Sequence, residues 1–431
     1  MEILAPSPTS LVFKVRRCEP QLIAPAKPTP HEFKPLSDVD DVERCQIPVI
    51  QFYRFDYSMQ GKDPVIVIRE ALAQTLVFYY PFAGRLREGP DSKFIVECTG
   101  EGAIFIEADA DVTLDHFGDA PHPPFSFVDE LLFDVPDSGE MLNCPLLLIQ
   151  ETRLKCRSFI FALHFNHVMT DGIGIVQFMN ALGEIAQGAT TPSILSVWQR
   201  ELLNARDPPR VTCTHHEFDE VADTNSGLSN ASNGMTCCSF CFGSTQISTI
   251  RKFIPHHLQK CSRSEILTAC MWRFCPPLPA GYYGNAIVAS AILTTAGELC
   301  QNPIEYALEL VKTAKANVSE EYARSLIDLM VIKSRPRLPM VRSYIVSDLT
   351  SVRSRDVNFG WGKAVYGVLA KVFPEPINFY IPLKNSEGDN GILVPVYLQS
   401  LAMERFLKEL HCMLKDQSDS NPMSKLIMSS L

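Results

Sequence analysis

The chain of 431 residues lacks three features that would indicate particular classes of protein. No stretch reaches the ~18–20 consecutive apolar residues that a membrane-spanning helix needs. No block of basic residues occurs, and 39 lysines and arginines against 49 acidic residues give a formal net charge of −10. That balance argues against nucleic acid and anionic membranes as partners. The first residues also lack the apolar run of a signal peptide, so we expect a cytoplasmic protein with reduced cysteines.

Signatures of metal, nucleotide and serine-esterase chemistry are missing or incomplete. Cys237, Cys238 and Cys241 form a cluster, but no second pair of ligands follows at a spacing that suits zinc. The nearest match to a nucleophile elbow surrounds Ser229, where Ala231 replaces the last glycine. Neither glycine-rich phosphate-binding fingerprint occurs. We therefore predict no metal site and no resident cofactor.

The length of the chain predicts more than one domain, because domains usually hold ~100–200 residues. Residues 207–234 contain prolines and many small polar residues but few large apolar ones, which is typical of a linker. We predict one domain over residues 1–206, a linker or crossover loop over 207–234, and a second domain over 235–431. Helix and strand patterns mix in both halves without strict alternation, so the predicted class is α+β with mixed sheets.

The segment HVMTDG, His167 to Gly172, lies at a predicted junction between a strand and a helix. The surrounding patterns predict a helix at 63–81, antiparallel strands at 146–152 and 158–166, and a helix at 174–188. The second half predicts helices at 262–274, 303–331 and 402–414, and strands at 342–350, 377–383 and 391–398.

Two interpretations of His167 and Asp171 follow from the residues alone. A histidine at the end of a strand can act as a general base, since imidazole titrates near neutrality. The same histidine can also be structural, with Asp171 capping the helix that follows, and the motif alone favours that interpretation. A metal held by His164 and His167 is disfavoured, because three-residue spacing on a strand places the two side chains on opposite faces.

A second unusual segment is VNFGWGKAVYG, Val357 to Gly367, in the other predicted half. Gly360 and Gly362 permit backbone conformations that side chains obstruct. Alone, such a segment is most often a structural loop.

Together these segments resemble the BAHD family of plant acyl-CoA-dependent acyltransferases. HVMTDG matches the family's His-x-x-x-Asp-Gly, and NFGWG matches its Asp-Phe-Gly-Trp-Gly. The opening CEPQLIAPAKPTPHEFKPLSDVDD, the segments YYPFAGRL (Tyr79 to Leu86) and GYYGNA (Gly281 to Ala286), and the AMERF helix also match in order. The chain is most similar to the branch of alcohol acyltransferases that includes benzyl alcohol benzoyltransferases.

The resemblance implies a fold like that of chloramphenicol acetyltransferase, with two similar-sized domains and a central solvent channel. It implies an acyl-CoA:alcohol O-acyltransferase that forms esters, with acyl-CoA as co-substrate, a small alcohol as acceptor, and a monomeric chain. Acetyl and benzoyl groups are the expected donors. By the family pattern His167 is the general base and Asp171 a structural brace. The residues expected to support the CoA side and the domain geometry are Asn358, Phe359, Gly360, Trp361 and Gly362.

The chain departs from the family pattern in two places. Asn358 stands where the family has aspartate. The stretch between Trp272 and Gly281 is short, near 273–280, where relatives carry a strand and an arginine that pairs with the loop's aspartate. These departures leave an alternative, a degenerate relative that binds CoA or a metabolite without turnover.

Overall fold

The computed structural model describes residues 2–4, 11–118, 123, 125, 127–133, 141–219, 235–243, 248, 278–336, 338, 343–371, 377–384 and 390–414. The strands are β1 (Glu2–Leu4), β2 (Val15–Arg17), β3 (Gln21–Ile23), β4 (Phe33–Pro35), β5 (Gln46–Tyr53), β6 (Arg85–Glu88), β7 (Phe94–Glu97), β8 (Ala103–Ala110), β9 (Leu147–Leu154), β10 (Phe159–Asn166), β11 (Met235–Phe242), β12 (Ile345–Asp348), β13 (Tyr366–Leu369), β14 (Ile377–Lys384) and β15 (Asn390–Gln399). The helices are α1 (Pro64–Phe78), α2 (Val128–Leu131), α3 (Gly172–Ala186), α4 (Ala296–Gln301), α5 (Ile304–Asn317), α6 (Glu320–Ile332) and α7 (Ser400–Leu414).

The strands among the described residues form three sheets. The largest has the order β13-β5-β10-β9-β8-β2, with β3 beside β8, and a second has the order β1-β11-β15-β14-β12. A small sheet joins β4, β7 and β6. Parallel pairs (β8 with β9, β12 with β14) occur among antiparallel ones, so the predicted mixed-sheet α+β class is confirmed.

Helices α1 and α3 pack together over one face of the largest sheet. Helix α1 begins where the sequence predicts, because the Asp63 carboxylate accepts the Val65 N–H at 3.1 Å and Pro64 takes the first helical position. Apolar side chains of both helices meet the rings of Phe161 and Phe165 on β10 in one buried core. This packing fixes the strand-to-helix turn between β10 and α3.

The opposite face of β10 is also buried. Ile160 and Ala162 contact a core that includes Ile381 of β14 and Leu393 of β15, so the two large sheets pack against each other. Burial on both faces explains why β10 is apolar at almost every position. Helix α7 covers the other face of the second sheet, where its Met403 side chain packs in one core with Phe240 and Val394.

Each of the two large sheets includes one strand from the other half of the sequence, as the predicted linker at 207–234 divides it. Strand β13 pairs with β5 in the sheet of the first half, and β1 pairs with β11 in the sheet of the second half. The early part of the linker is packed, since His215 and Thr212 bond Ser325 of α6. The division of the chain into 1–206 and 235–431 therefore does not coincide with the division of its sheets.

Several predicted features lie outside the described residues. They are the helix at 262–274, Ser229 with its elbow-like segment, residues 220–234 of the linker, and residues 273–277 of the short stretch. Among the helices that the structure describes, none is long and apolar enough to cross a membrane.

Candidate active site

His167 directly follows β10 and opens a short 3₁₀ turn over His167–Met169. Its backbone N–H donates to the Cys45 carbonyl at 2.8 Å, which ties the turn to the chain entering β5. The imidazole is partly buried, with its centroid 5.9 Å from the Phe165 ring. Its Nδ1 atom is enclosed and has no hydrogen-bond partner within the described part of the chain. A hydroxyl group approaching from solvent would therefore meet the ring at Nε2.

Asp171 caps α3 and does not orient the imidazole of His167 through a hydrogen bond. Its Oδ1 accepts the N–H groups of Ile173 and Gly174, both at 2.9 Å, and its Oδ2 accepts the Ala286 N–H at 3.2 Å. Burial raises the pKa of this carboxyl, while these backbone N–H groups and His167 act in the opposite direction. The carboxylate thus joins the turn, the helix and the segment Gly281–Ala286.

The NFGWG loop closes on itself through its first residue. Asn358 Oδ1 accepts the N–H groups of Gly360 at 2.8 Å and Gly362 at 2.9 Å. Both glycines have positive φ angles, 113° and 83°, which favour glycine over residues with a side chain. An uncharged amide oxygen is sufficient for these two bonds, so the loop is closed without the aspartate of the family pattern.

The loop packs against the first half of the chain. Phe359 lies 5.0 Å from the Phe161 ring, and Trp361 lies 5.2 Å from the Phe159 ring. The Asn358 carbonyl also approaches Gly183 of α3, where a Cβ atom would lie 2.5 Å from the oxygen. The loop therefore holds the end of the β10–α3 unit that is remote from His167.

The structure does not bring all the predicted site residues together. His167 and Asp171 share one turn, whereas the loop contacts β10 at Phe161 and earlier residues. His167 lies six positions after Phe161 along the strand, which corresponds to about 20 Å. The NFGWG loop therefore does not contact His167 itself.

Three buried polar residues beside the turn were not singled out from the sequence. Asp40, Arg200 and Asn285 have 0%, 1% and 0% of their surface exposed, and they bond one another and the turn. Asp40 and Asn285 lie inside the family-like segments PLSDVDD and GYYGNA. That position in the sequence was the signal that could have identified these two residues. Arg200 lies in a segment without helix or strand periodicity, and no signal indicated it.

A cleft of about 260 Å³ runs along α3 from Ile173 to Glu184, and residues 192–194 and 351–353 form its other walls. His167 is not among the residues that line it, although Ile173 lies two positions after the cap Asp171. Among the residues that the structure describes, no group of His, Cys, Asp or Glu side chains could hold a metal ion.

A model of the Transferase family matches residues 13–275 and 256–413, which together are most of the chain. The chain belongs to this BAHD family. It is 57% identical to the benzyl alcohol O-benzoyltransferases of Nicotiana tabacum and Petunia hybrida over 438 aligned positions, covering 94% of this chain and 95% of each relative. The resemblance found in the sequence is thereby confirmed, and this BAHD chain is an acyltransferase enzyme.

Solved structures show the same fold. Vinorine synthase superposes with a TM-score of 0.69 at 18% identity, covering 93% of this chain and 98% of that one. The TRI101 protein of F. graminearum, in complex with coenzyme A and deoxynivalenol, gives a TM-score of 0.63 at 13% identity, covering 88% and 97%. At these identities the likeness concerns the fold, and it confirms the predicted architecture.

The comparison with the tobacco relative also bears on length. The aligned span of 438 positions exceeds the 431 residues of this chain, so the relative has residues in that span that this BAHD chain lacks.

Proposed function

We propose that this acyl-CoA:alcohol O-acyltransferase uses His167 as the general base. Nε2 removes the proton from the acceptor hydroxyl, and the alkoxide oxygen attacks the carbonyl carbon of the thioester. The tetrahedral intermediate then collapses, the C–S bond breaks, and the CoA thiolate takes the proton from the imidazolium. The partly exposed imidazole at the end of β10, in a chain of this family, is the observation that carries the proposal. Proton transfer by a positioned histidine typically contributes ~10²–10⁴-fold.

Asp171 acts as a structural brace in this scheme. All of its hydrogen bonds given above join it to backbone N–H groups, so it fixes the turn and does not relay a proton. The loop Asn358–Gly362 supports the remote end of β10 and α3 and, through them, the CoA side of the site.

Benzoyl-CoA and acetyl-CoA are the proposed donors, and small alcohols such as benzyl alcohol are the proposed acceptors. The relatives at 57% identity are named for benzoyl transfer to benzyl alcohol, which supports this choice. We further propose that the protein acts as a cytoplasmic monomer that needs no cofactor besides the acyl-CoA.

We also propose that the residues missing relative to the tobacco protein belong between Trp272 and Gly281. The family model matches in two stretches that overlap at 256–275, which supports a discontinuity in this region. Residues 287–294, IVASAILT, have the composition of a strand, yet they pair with no strand in the described residues. A missing partner strand accounts for this.

Incubation of the purified chain with benzoyl-CoA or acetyl-CoA and a panel of alcohols tests the proposal. We expect ester and free CoA in equal amounts, and loss of both in His167→Ala. A chain that binds CoA without releasing ester would be the non-catalytic relative, which the comparisons do not favour. Ester formation by His167→Ala at the wild-type rate would refute the assignment of the base.

A further inference from the structure

A buried ion pair lies behind the turn that carries His167, and the reaction scheme does not use it. Arg200 Nη1 lies 2.8 Å from Asp40 Oδ1, and the two side chains are 1% and 0% exposed. Taking two charges out of water is costly, and the hydrogen bonds that the two side chains make with their surroundings offset part of that cost. The partners of this pair therefore indicate its role.

Those partners are the backbone carbonyls of the turn. Arg200 Nη2 donates to the Met169 carbonyl at 2.7 Å. Asn285 Nδ2 donates to the His167 carbonyl at 2.7 Å and to Asp40 Oδ1 at 2.9 Å. The Asn285 N–H also donates to Asp40 Oδ1, at 2.8 Å. One carboxylate oxygen thus joins both side chains that hold the turn.

The residues that surround the Arg200 guanidinium leave no free space beside it. A Cβ atom at Gly284 would lie 1.7 Å from Arg200 Nη1, so glycine is required there. The guanidinium carbon lies 4.3 Å from the Trp198 ring centroid and 5.0 Å from that of Tyr283. Packing between aromatic rings leaves the guanidinium little freedom, and a rigid donor fixes the carbonyls it binds.

We propose that Asp40, Arg200 and Asn285 form a positioning cluster that sets the place of the His167 imidazole relative to the two substrates. The proposal rests on the proposed role of His167 as the base. The cluster touches only the backbone of the turn, so its members are positioning residues. Displacement of a catalytic group by about 1 Å can cost about 10²-fold in rate, which is the size of effect that we expect.

Asn285→Ala and Arg200→Lys test the cluster in the full chain. Asn285→Ala removes the bond to the His167 carbonyl, and lysine cannot reach Asp40 and the Met169 carbonyl with one planar fork. We expect kcat to fall about 10²-fold in each, while KM changes by less than about twofold. Arg206→Lys is the matched control, because Arg206 pairs with buried Asp328 away from the turn. It should lower the thermal midpoint and leave kcat unchanged.

Asp40→Asn gives a second readout, the pH dependence of kcat/KM, which a purely structural role of the cluster would leave unchanged. Asp171, Asp40 and Arg200 are charged groups beside the turn, and Asp41, next to Asp40, is paired with Arg44. This substitution leaves the positive charge of Arg200 without its partner. A nearby positive charge disfavours the imidazolium, so the acidic limb of the kcat/KM profile should move to lower pH. Asp40→Asn with an unmoved limb, or Asn285→Ala and Arg200→Lys with wild-type kcat, would overturn the cluster. Activity retained by His167→Ala would instead overturn the base.

Discussion

The backbone carbonyl of His167 accepts a hydrogen bond of 2.7 Å from the side-chain amide of Asn285, 118 residues further along the chain. The Asp171 carboxylate accepts the next backbone N–H in sequence, that of Ala286. The turn that carries the proposed base is therefore completed by a segment from the other half of the sequence. Changes near residues 273–286 should affect catalysis as well as stability.

The carboxylate of Asp171 offers a direct test of the brace. In Asp171→Asn one oxygen can still cap α3, but the amide group faces the Ala286 N–H and cannot accept it. We expect the free energy of unfolding to fall by about 1–3 kcal/mol and kcat to fall with it. Ser319→Ala, which removes the cap that Ser319 gives the Tyr322 N–H of α6, is the control. It should cost about 1 kcal/mol and leave kcat unchanged; a wild-type kcat in Asp171→Asn would contradict the brace.

Glu151 on β9 predicts a pH-dependent stability. Both carboxylate oxygens are buried without a hydrogen-bond partner in the described residues, and burial raises the pKa of this group well above its usual range. The folded chain then holds the proton more tightly than the unfolded chain, so stability falls as pH rises above the ordinary value of 4.5. The thermal midpoint of Glu151→Gln should exceed that of the wild type increasingly between about pH 5 and about pH 8.

Glu70→Gln, at an exposed position of α1, is the matched control for this measurement. It should give midpoints parallel to those of the wild type across the same range. A constant difference between Glu151→Gln and the wild type would show that the carboxyl titrates normally.

The NFGWG loop predicts different results for two substitutions of Asn358. Asn358→Ala removes the acceptor of the Gly360 and Gly362 N–H groups, and we expect a loss of about 1–3 kcal/mol. Asn358→Asp keeps an acceptor oxygen at the same place and should lose less. Chemical unfolding monitored by tryptophan fluorescence reports on both, since Trp361 lies in the loop. Equal losses would show that the side-chain oxygen is unimportant.

Restoring the missing residues should stabilise the second half. Leu293 and Leu299 are 62% and 45% exposed, in or near the strand-like residues 287–294, which pair with no strand among the residues that the structure describes. Insertion of the corresponding tobacco segment between Trp272 and Gly281 should raise the thermal midpoint, because it supplies a partner for these backbone groups. A flexible glycine–serine insert of the same length is the control. Equal thermal midpoints for the chain with the tobacco insert and the present chain would contradict the proposal that a stabilising segment is missing here.

Local patterns predicted the elements that carry the turn. Asp63 and Pro64 mark the start of α1, and the apolar run from Phe159 predicts β10 up to the residue before His167. Helix α3 follows with Asp171 as its cap, as the spacing indicates. These features depend on residues that are close together in the sequence, so a single sequence is enough to predict them.

The rest depends on contacts between distant parts of the chain. Arg200 is an isolated charge in the sequence, and its burial follows only when Asp40 and the Trp198 and Tyr283 rings surround it. The NFGWG loop was assigned to the second half by its position. Its rings instead complete the first core, because Phe159 and Phe161 present an apolar face there.

Strand β13, from the second half of the chain, forms the outer edge of the first large sheet next to β5. During synthesis, β5 remains an open edge until residues 366–369 have left the ribosome. A nascent chain released early would present that edge to other copies of itself and would tend to aggregate. Premature stop codons that remove residues 366–369 should therefore yield insoluble protein, and expression of residues 1–206 alone should not yield a folded half.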